Sequence, residues 1–229
     1  MKLAALFSGG KDSTYAIFLA KKLGHSVDVL LTLYPYSDES HLLHYPNISF
    51  TSLQSESMKI PQLIEKTTSN NSENEYEKLN NLITLAKENY SIEGIVHGGI
   101  LSEYQKDNFS LICEKNQLKI ISPLWNKEPK SYMKELLNEN FEYIISTVSS
   151  AGLNDSWLGR IIDKNGLDEL QKLQKKFRFN LNFEGGEAET FVTNCPLFEK
   201  RLLIQDSTTE WDGYRGRFEI LEAKLKDNA

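Results

Sequence analysis

The sequence predicts an α/β protein: a five-stranded parallel sheet covered by helices, followed by a second, α+β unit. Three observations carry this. Short apolar runs alternate with helix-like segments through the first half, the pattern of strands joined by crossover helices. The rhythm changes after about residue 125, and the final third turns to strands. With 229 residues, 40% hydrophobic and 25% charged, the chain can bury enough apolar surface to offset its ordering entropy.

Each element follows in order. Leu3 to Phe7 is the first strand. After a glycine-containing turn, Tyr15, Phe18, Leu19 and Leu23 recur at steps of three and four, and Gly24 supplies the helix stop. Val27 to Leu33 is a second buried strand, Leu63 to Lys66 a short third, and the polar run Thr67 to Glu75 an exposed loop. Leu79, Leu82, Ile83 and Ala86 mark the next helix, and Gly94 to Val96 a fourth strand ending at the turn pair Gly98-Gly99. Ser102 to Asn116 reads as a helix with Leu111 and Ile112 among its apolar positions; Lys119 to Ile121 is the fifth strand, leaving through Pro123. The first domain is therefore 1–125 and the second 126–229. The second holds a helix at Lys130 to Asn138, a strand at Tyr143 to Val148, a helix at Leu167 to Phe177, and two long strands, Lys200 to Trp211 and Tyr214 to Lys226. Between those two, Asp212-Gly213 is a two-residue hairpin signal.

Composition narrows the function. There are 26 basic and 32 acidic residues, a formal charge of -6 with no basic block, so direct nucleic-acid binding is not expected. No apolar run reaches the roughly 20 residues that cross a bilayer, and Met1-Lys2-Leu3 leads into a strand and not a signal peptide. No membrane partner and a cytoplasmic location are expected. Cys113 and Cys195 lie far apart with no C-x-x-C and read as small core hydrophobes. The four histidines form no H-E-x-x-H pattern. Tyr34, Tyr36 and Tyr45 lie near the end of the second strand, where an adenine ring or ordinary packing could use them.

Chemistry concentrates in Ser8-Gly9-Gly10-Lys11-Asp12-Ser13, between the first strand and the first helix, at the carboxyl edge where α/β sheets bind ligands. Two glycines let backbone N–H groups approach an anion, the Ser8 and Ser13 hydroxyls can donate, and the helix N-terminus adds positive potential. Lys11 adds a full charge on what reads as an exposed loop. The set suits a phosphate or pyrophosphate, and Asp12 could help hold an accompanying Mg2+. It is neither a Walker A loop, since Ala5 stands where a glycine is required, nor a G-x-G-x-x-G fingerprint.

This segment resembles the pyrophosphate-binding loop, or PP-loop, of the ATP pyrophosphatases, whose nucleotide-binding domain is of the HUP type. Further along, His44-Tyr45-Pro46-Asn47, Gly99 to Gln105, Pro123-Leu124-Trp125, Gly152-Leu153, Trp157 to Arg160, Glu184 to Val192 and Pro196-Leu197-Phe198 are similar, in order, to the diphthine–ammonia ligase family. The resemblance implies an ATP-dependent amidation in which the diphthine carboxylate of translation elongation factor 2 is adenylated and then attacked by ammonia, giving diphthamide, AMP and pyrophosphate. It implies Lys11, Asp12 and Glu187 as catalytic residues. Ser8, Gly9, Gly10, Lys11, Asp12, Ser13 and Gly99 would meet ATP, and Asp12 its magnesium. Ser102, Tyr104, Gln105, Trp157, Arg160, Glu184, Gly185, Gly186, Glu187, Glu189 and Thr190 would meet the substrate. Three carboxylates around Gly185-Gly186 would favour a trimethylammonium group, with aromatic faces such as Tyr104, Trp157 or Phe191 beside them, at a site separate from the ATP loop. Two positions depart from the family pattern: Asn108 stands in place of an arginine, leaving Lys106 or Arg160 to substitute, and no histidine occurs in Phe179 to Asn182. Other readings of the same loop are a tRNA-modifying or amidotransferase-type adenylating enzyme and a nucleotide-sensing module without turnover. A homodimer is compatible with the sequence.

Overall fold

Five parallel strands form the first sheet: β1 (Lys2–Leu6), β2 (Ser26–Tyr34), β3 (Gln62–Lys66), β4 (Gly94–Val96) and β5 (Lys119–Ile121), in the order β3-β2-β1-β4-β5. The computed structural model describes residues 1–34, 36, 47–69, 71–100 and 103–228, the side chains of 72 and 103–108 excepted. Helices α1 (Lys11–Lys22), α2 (Thr51–Met58), α3 (Ser72–Tyr90) and α4 (Glu103–Lys115) connect the strands. On one face, Leu6, Leu31 and Ile95 from the sheet pack with Leu82 and Ile83 of α3 and Ile112 and Cys113 of α4. Strand order reverses between β1 and β4, so the two loops at their carboxyl ends flank the switch point where α/β sheets bind ligands.

The second sheet is antiparallel, in the order β7-β6-β9-β8, from β6 (Glu142–Val148), β7 (Ala188–Asn194), β8 (Lys200–Trp211) and β9 (Gly216–Asp227). Helices α5 (Pro129–Asn138) and α6 (Lys164–Phe177) belong to the same unit. Their starts are written in the sequence. The Glu128 carboxylate accepts from the Lys130 and Ser131 N–H groups ahead of Pro129, and Asp163 accepts from Gly166 N–H at 2.7 Å. The chain divides into two compact units, Met1–Ser8 with Asp12–Trp125, and Gly9–Lys11 with Asn126–Ala229. Among the described residues no helix is long and apolar enough to cross a membrane.

Several expectations are corrected. Helix α2 was not foreseen: its inward positions Thr51, Gln54, Ser55 and Met58 have helical spacing but are mostly polar. The two hydroxyls are buried because local acceptors exist; Thr51 Oγ1 donates to Ile48 O at 2.6 Å and Ser55 Oγ to Ile60 O at 2.6 Å. The exposed loop expected at 67–75 ends early, because the Asn71 side chain accepts from Glu73 N–H and starts α3 at Ser72, leaving Glu75 buried. The buried stripe of α4 includes Phe109, Ile112 and Cys113, while Leu111 faces out. The hairpin turn is longer than two residues: Asp212 Oδ1 accepts from the N–H groups of Tyr214 and Arg215, and β9 begins at Gly216. Both cysteines are buried and unbridged, with burial pushing the Cys113 thiol up to about 11 and that of Cys195 to about 12.

Gly94 leaves no room for a side chain in β4, since a Cβ there would lie 2.7 Å from Lys119 O and 3.1 Å from the Leu3 side chain. Gly94→Ala should lower unfolding free energy by roughly 1–3 kcal/mol through overpacking, measured by urea denaturation. An unchanged midpoint would show that β4 and β5 can separate without cost.

Candidate functional site

The first loop is short. β1 ends at Leu6, Phe7 N–H still bonds Leu31 O, and α1 begins at Lys11, so only Phe7 to Gly10 lie between strand and helix. Lys11, Asp12 and Ser13 thus form the first helical turn, whose N–H groups have no partner inside the helix. Gly9 takes φ 80°, a left-handed value that favours glycine. Ser13 Oγ accepts from Ser8 N–H at 3.3 Å and lies 3.2 Å from Ser8 Oγ, so the two hydroxyls close the loop on itself. Beneath it, Thr32 Oγ1 donates to Phe7 O at 2.8 Å.

The β4 loop meets the same turn. A Cβ on Gly98 would lie 2.5 Å from Asp12 C and 2.6 Å from Ser13 N, so only glycine permits this approach to the backbone of α1. The sequence singled out Gly99, whereas Gly98 makes the close contact. Next to it, His97 is buried; its Nδ1 accepts from Gly99 N–H at 3.1 Å, which places the ring proton on Nε2, donated to Ser122 Oγ at 2.6 Å. The ring meets Phe109 edge-on at 5.1 Å. Burial pulls its pKa down to about 4. Sequence reasoning passed over His97 because its partner stands 25 residues away with no spacing signal.

Gly9–Lys11 belong to the second unit. Val192 N–H donates to Gly9 O at 3.0 Å, and Lys11 N–H to Thr190 Oγ1 at 3.1 Å. The Lys11 side chain corrects the expectation of an exposed lysine: it is 2% exposed. Its Nζ donates to Asn182 O at 2.7 Å and lies 5.5 Å from the Phe183 ring centroid and 5.9 Å from that of Tyr132.

The acidic run folds as a tight turn. The Glu187 carboxylate accepts from Asn180 N–H at 2.7 Å and from Gly185 N–H at 2.8 Å, spanning its own loop, while Ser149 N–H donates to Glu187 O and Ser149 Oγ to Gly186 O. A Cβ on Gly185 would meet the Glu187 and Asn180 side chains, and Gly186 has φ 76°. Glu184 and Glu189 are partly exposed. Trp157 and Arg160 form a separate cluster. Trp157 is buried, the Arg160 guanidinium covers its ring at 4.3 Å, and Arg160 pairs with Glu169 at 2.6 Å. Ser102, His44 and Tyr45 lie outside the described residues, as do the side chains of Tyr104, Gln105, Lys106 and Asn108.

Comparison with known proteins agrees across the chain. The model of the diphthamide synthase N-terminal domain matches residues 1–120, and that of the diphthamide synthase C-terminal domain residues 128–225. The chain is 33% identical to the diphthine–ammonia ligases of Bos taurus and Homo sapiens over 226 residues, covering 90% of this chain and 84% of each of those proteins. The Schizosaccharomyces pombe diphthine–ammonia ligase is 32% identical over 221 residues, covering 90% of this chain and 36% of that longer protein.

Two measurements probe the β4 loop. Unfolded His97 takes up a proton near its ordinary value of 6.5, whereas the folded ring resists until about 4. The unfolded state binds more protons in this window, so stability is full above pH 6.5 and falls by about 3 kcal/mol as pH drops towards 4. His97→Gln should flatten that part of the curve; an unchanged slope would mean the ring titrates freely. Gly98→Ala should disrupt the start of α1, seen as loss of amide-exchange protection at Tyr15 to Phe18, whose N–H groups are the first with acceptors inside the helix, and retained protection would contradict the close approach.

Proposed function

The chain belongs to the diphthamide synthase family, and on that premise we propose that it amidates the diphthine carboxylate of translation elongation factor 2 with ammonia at the expense of ATP. A carboxylate resists ammonia because its leaving group would be an oxide. Attack of that carboxylate on the α-phosphorus gives an acyl-adenylate and releases pyrophosphate. Ammonia then adds to the acyl carbon, AMP departs and a proton is lost to solvent, leaving the amide.

The observation that carries this reading is the loop that passes from Gly9, at φ 80°, directly into the first turn of α1 at the switch point of a parallel sheet. Its Gly9 and Gly10 amides, the Ser8 and Ser13 hydroxyls and the positive end of α1 are suited to charge building on the departing pyrophosphate. Gly99 lies on the neighbouring loop for the nucleotide. Asp12 is a single carboxylate on that first turn, enough for a magnesium ion that brings phosphate oxygens and waters as its other ligands. Bound there, the ion would neutralise polyphosphate charge. We assign ATP to residues 1–125 and the modified histidine to residues 126–229, with Glu184 and Glu189 offered to the trimethylammonium group. Ser102, Tyr104, Gln105 and Arg160 complete the substrate assignment, with the buried Trp157 backing the Arg160 guanidinium, and the cytoplasm is the compartment.

Phosphorus NMR tests the chemistry on protein mixed with ATP, ammonium and elongation factor 2 from cells lacking this protein. AMP and pyrophosphate should appear in equal amounts, together with conversion of the diphthine acid to its amide by mass. ADP with inorganic phosphate would sink the adenylation step, and AMP formation without amide would sink the substrate.

A further inference from the structure

Three local costs converge on the turn from Phe179 to Glu187. Phe183 has φ 65°, a left-handed conformation that is unusual and strained for a bulky residue. The Asn182 carboxamide is 1% exposed, and neither its nitrogen nor its oxygen has a hydrogen-bond partner among the described residues, so its desolvation is not offset there. The third is the Lys11 ammonium, buried against Asn182 O and two rings. Such features persist only where the surroundings impose them.

The imposing group is Glu187. Its two carboxylate oxygens hold Asn180 N–H and Gly185 N–H, one on each side of Asn182 and Phe183 in the chain. Phe183 N–H donates to Asn180 O and Gly186 N–H to Phe183 O, so the carboxylate ties together two successive turns. That closure fixes the Asn182 carbonyl, and the carbonyl fixes the Lys11 ammonium. Lys11 is also the first residue of α1, with its own N–H on Thr190 Oγ1 and the preceding Gly9 O on Val192 N–H. A change in the turn therefore reaches the phosphate loop through the Lys11 side chain, while β7, directly after the turn, holds the Lys11 N–H and the Gly9 carbonyl.

We propose that Glu187 is a positioning residue for Lys11: the carboxylate shapes the 180–187 turn, the turn holds the lysine, and the lysine sets the phosphate loop, so the acidic run and ATP binding are energetically coupled. The inference rests on the ATP reading above and gives the acidic run a second task beside substrate recognition. It runs against the expectation that the two sites are separate.

A double-mutant cycle on MgATP affinity, by calorimetry on the full chain without ammonia or acceptor, tests it. Glu187→Gln keeps the shape but can accept from only one of the two N–H groups; Lys11→Met keeps the aliphatic stem and removes the ammonium. Each single variant should weaken ATP binding roughly tenfold, and the double variant no further than the weaker single, because contacting residues couple. A general loss of fold would instead lower affinity again in the double variant. Additive effects, or a Glu187→Gln protein that binds ATP like the wild type, would overturn the coupling while leaving the ATP reading intact. A wild type that binds no MgATP would overturn that reading and this inference with it. Should Glu187→Gln fail to fold, Ser149→Ala removes the hydroxyl that donates to Gly186 O and loosens the same turn. In parallel, the side-chain nitrogen resonance of Lys11, assigned by its loss in Lys11→Met, should be visible in the wild type and move in Ser149→Ala. A Lys11 signal unmoved by loosening the turn would also overturn the coupling.

Discussion

The Lys11 ammonium at the first turn of α1 is buried next to the positive end of that helix, and a small set of residues grouped with it answers this constraint. The helix N-terminus repels a cation, and burial strips away its water. Acceptors must therefore come from elsewhere in the chain. Asn182 O supplies one at 2.7 Å, and the faces of Phe183 and Tyr132 add the negative side of an aromatic quadrupole. To deliver them, β7 runs beside Gly9 and Lys11 and the turn before it closes on Glu187. The grouping of Gly9–Lys11 with residues more than a hundred positions away follows from these bonds.

Where an element was legible, hydrophobic contrast made it so. β4 and β5 are three-residue strands, Gly-Ile-Val and Lys-Ile-Ile, each with a pair of adjacent β-branched apolar residues, and both appear at the expected positions. α2 was hidden by the reverse case. Its inward face is threonine, glutamine and serine, and Thr51 and Ser55 are acceptable inside because a carbonyl or side chain stands at hydrogen-bond distance, as Gln62 Nε2 does 2.9 Å from Thr51 Oγ1. A pattern of hydrophobicity cannot register such a face. Ser72 to Glu75 failed for a related reason: polarity suggested a loop, while the Asn71 cap and the acidic first turn were the stronger signal.

The site divides in the same way. Ser8 to Ser13 was readable because its parts are contiguous and their geometry follows from a strand, two glycines and a helix start. The acidic run was readable as charge but not as structure. Nothing in the order of its residues says that the Glu187 carboxylate turns back onto its own backbone, whereas Glu184 and Glu189 stay partly exposed. Trp157 looked like an open aromatic face, yet the Arg160 guanidinium already covers it. His97 with Ser122, and Gly98 against Asp12, depend on which loops the sheet order brings together, and that order is visible only once the strands are paired.

Phe183 shows how closely the local and distant terms are matched. A glycine there would take φ 65° without strain, removing a cost on the order of 1 kcal/mol or more. It would also remove the ring that stacks on Phe179 at 6.4 Å and faces the Lys11 ammonium at 5.5 Å. A desolvated cation over a ring is worth about 2 kcal/mol or more, and at an exposed site only about 0.5–1 kcal/mol. The balance therefore turns on how dry the lysine is. With Lys11 at 2% exposure, the desolvated value applies, and the ring term is of the same size as the strain it offsets. The backbone distortion at Phe183 and the burial of Lys11 thus belong to one arrangement, in which the ring that the strained residue carries faces the buried ammonium.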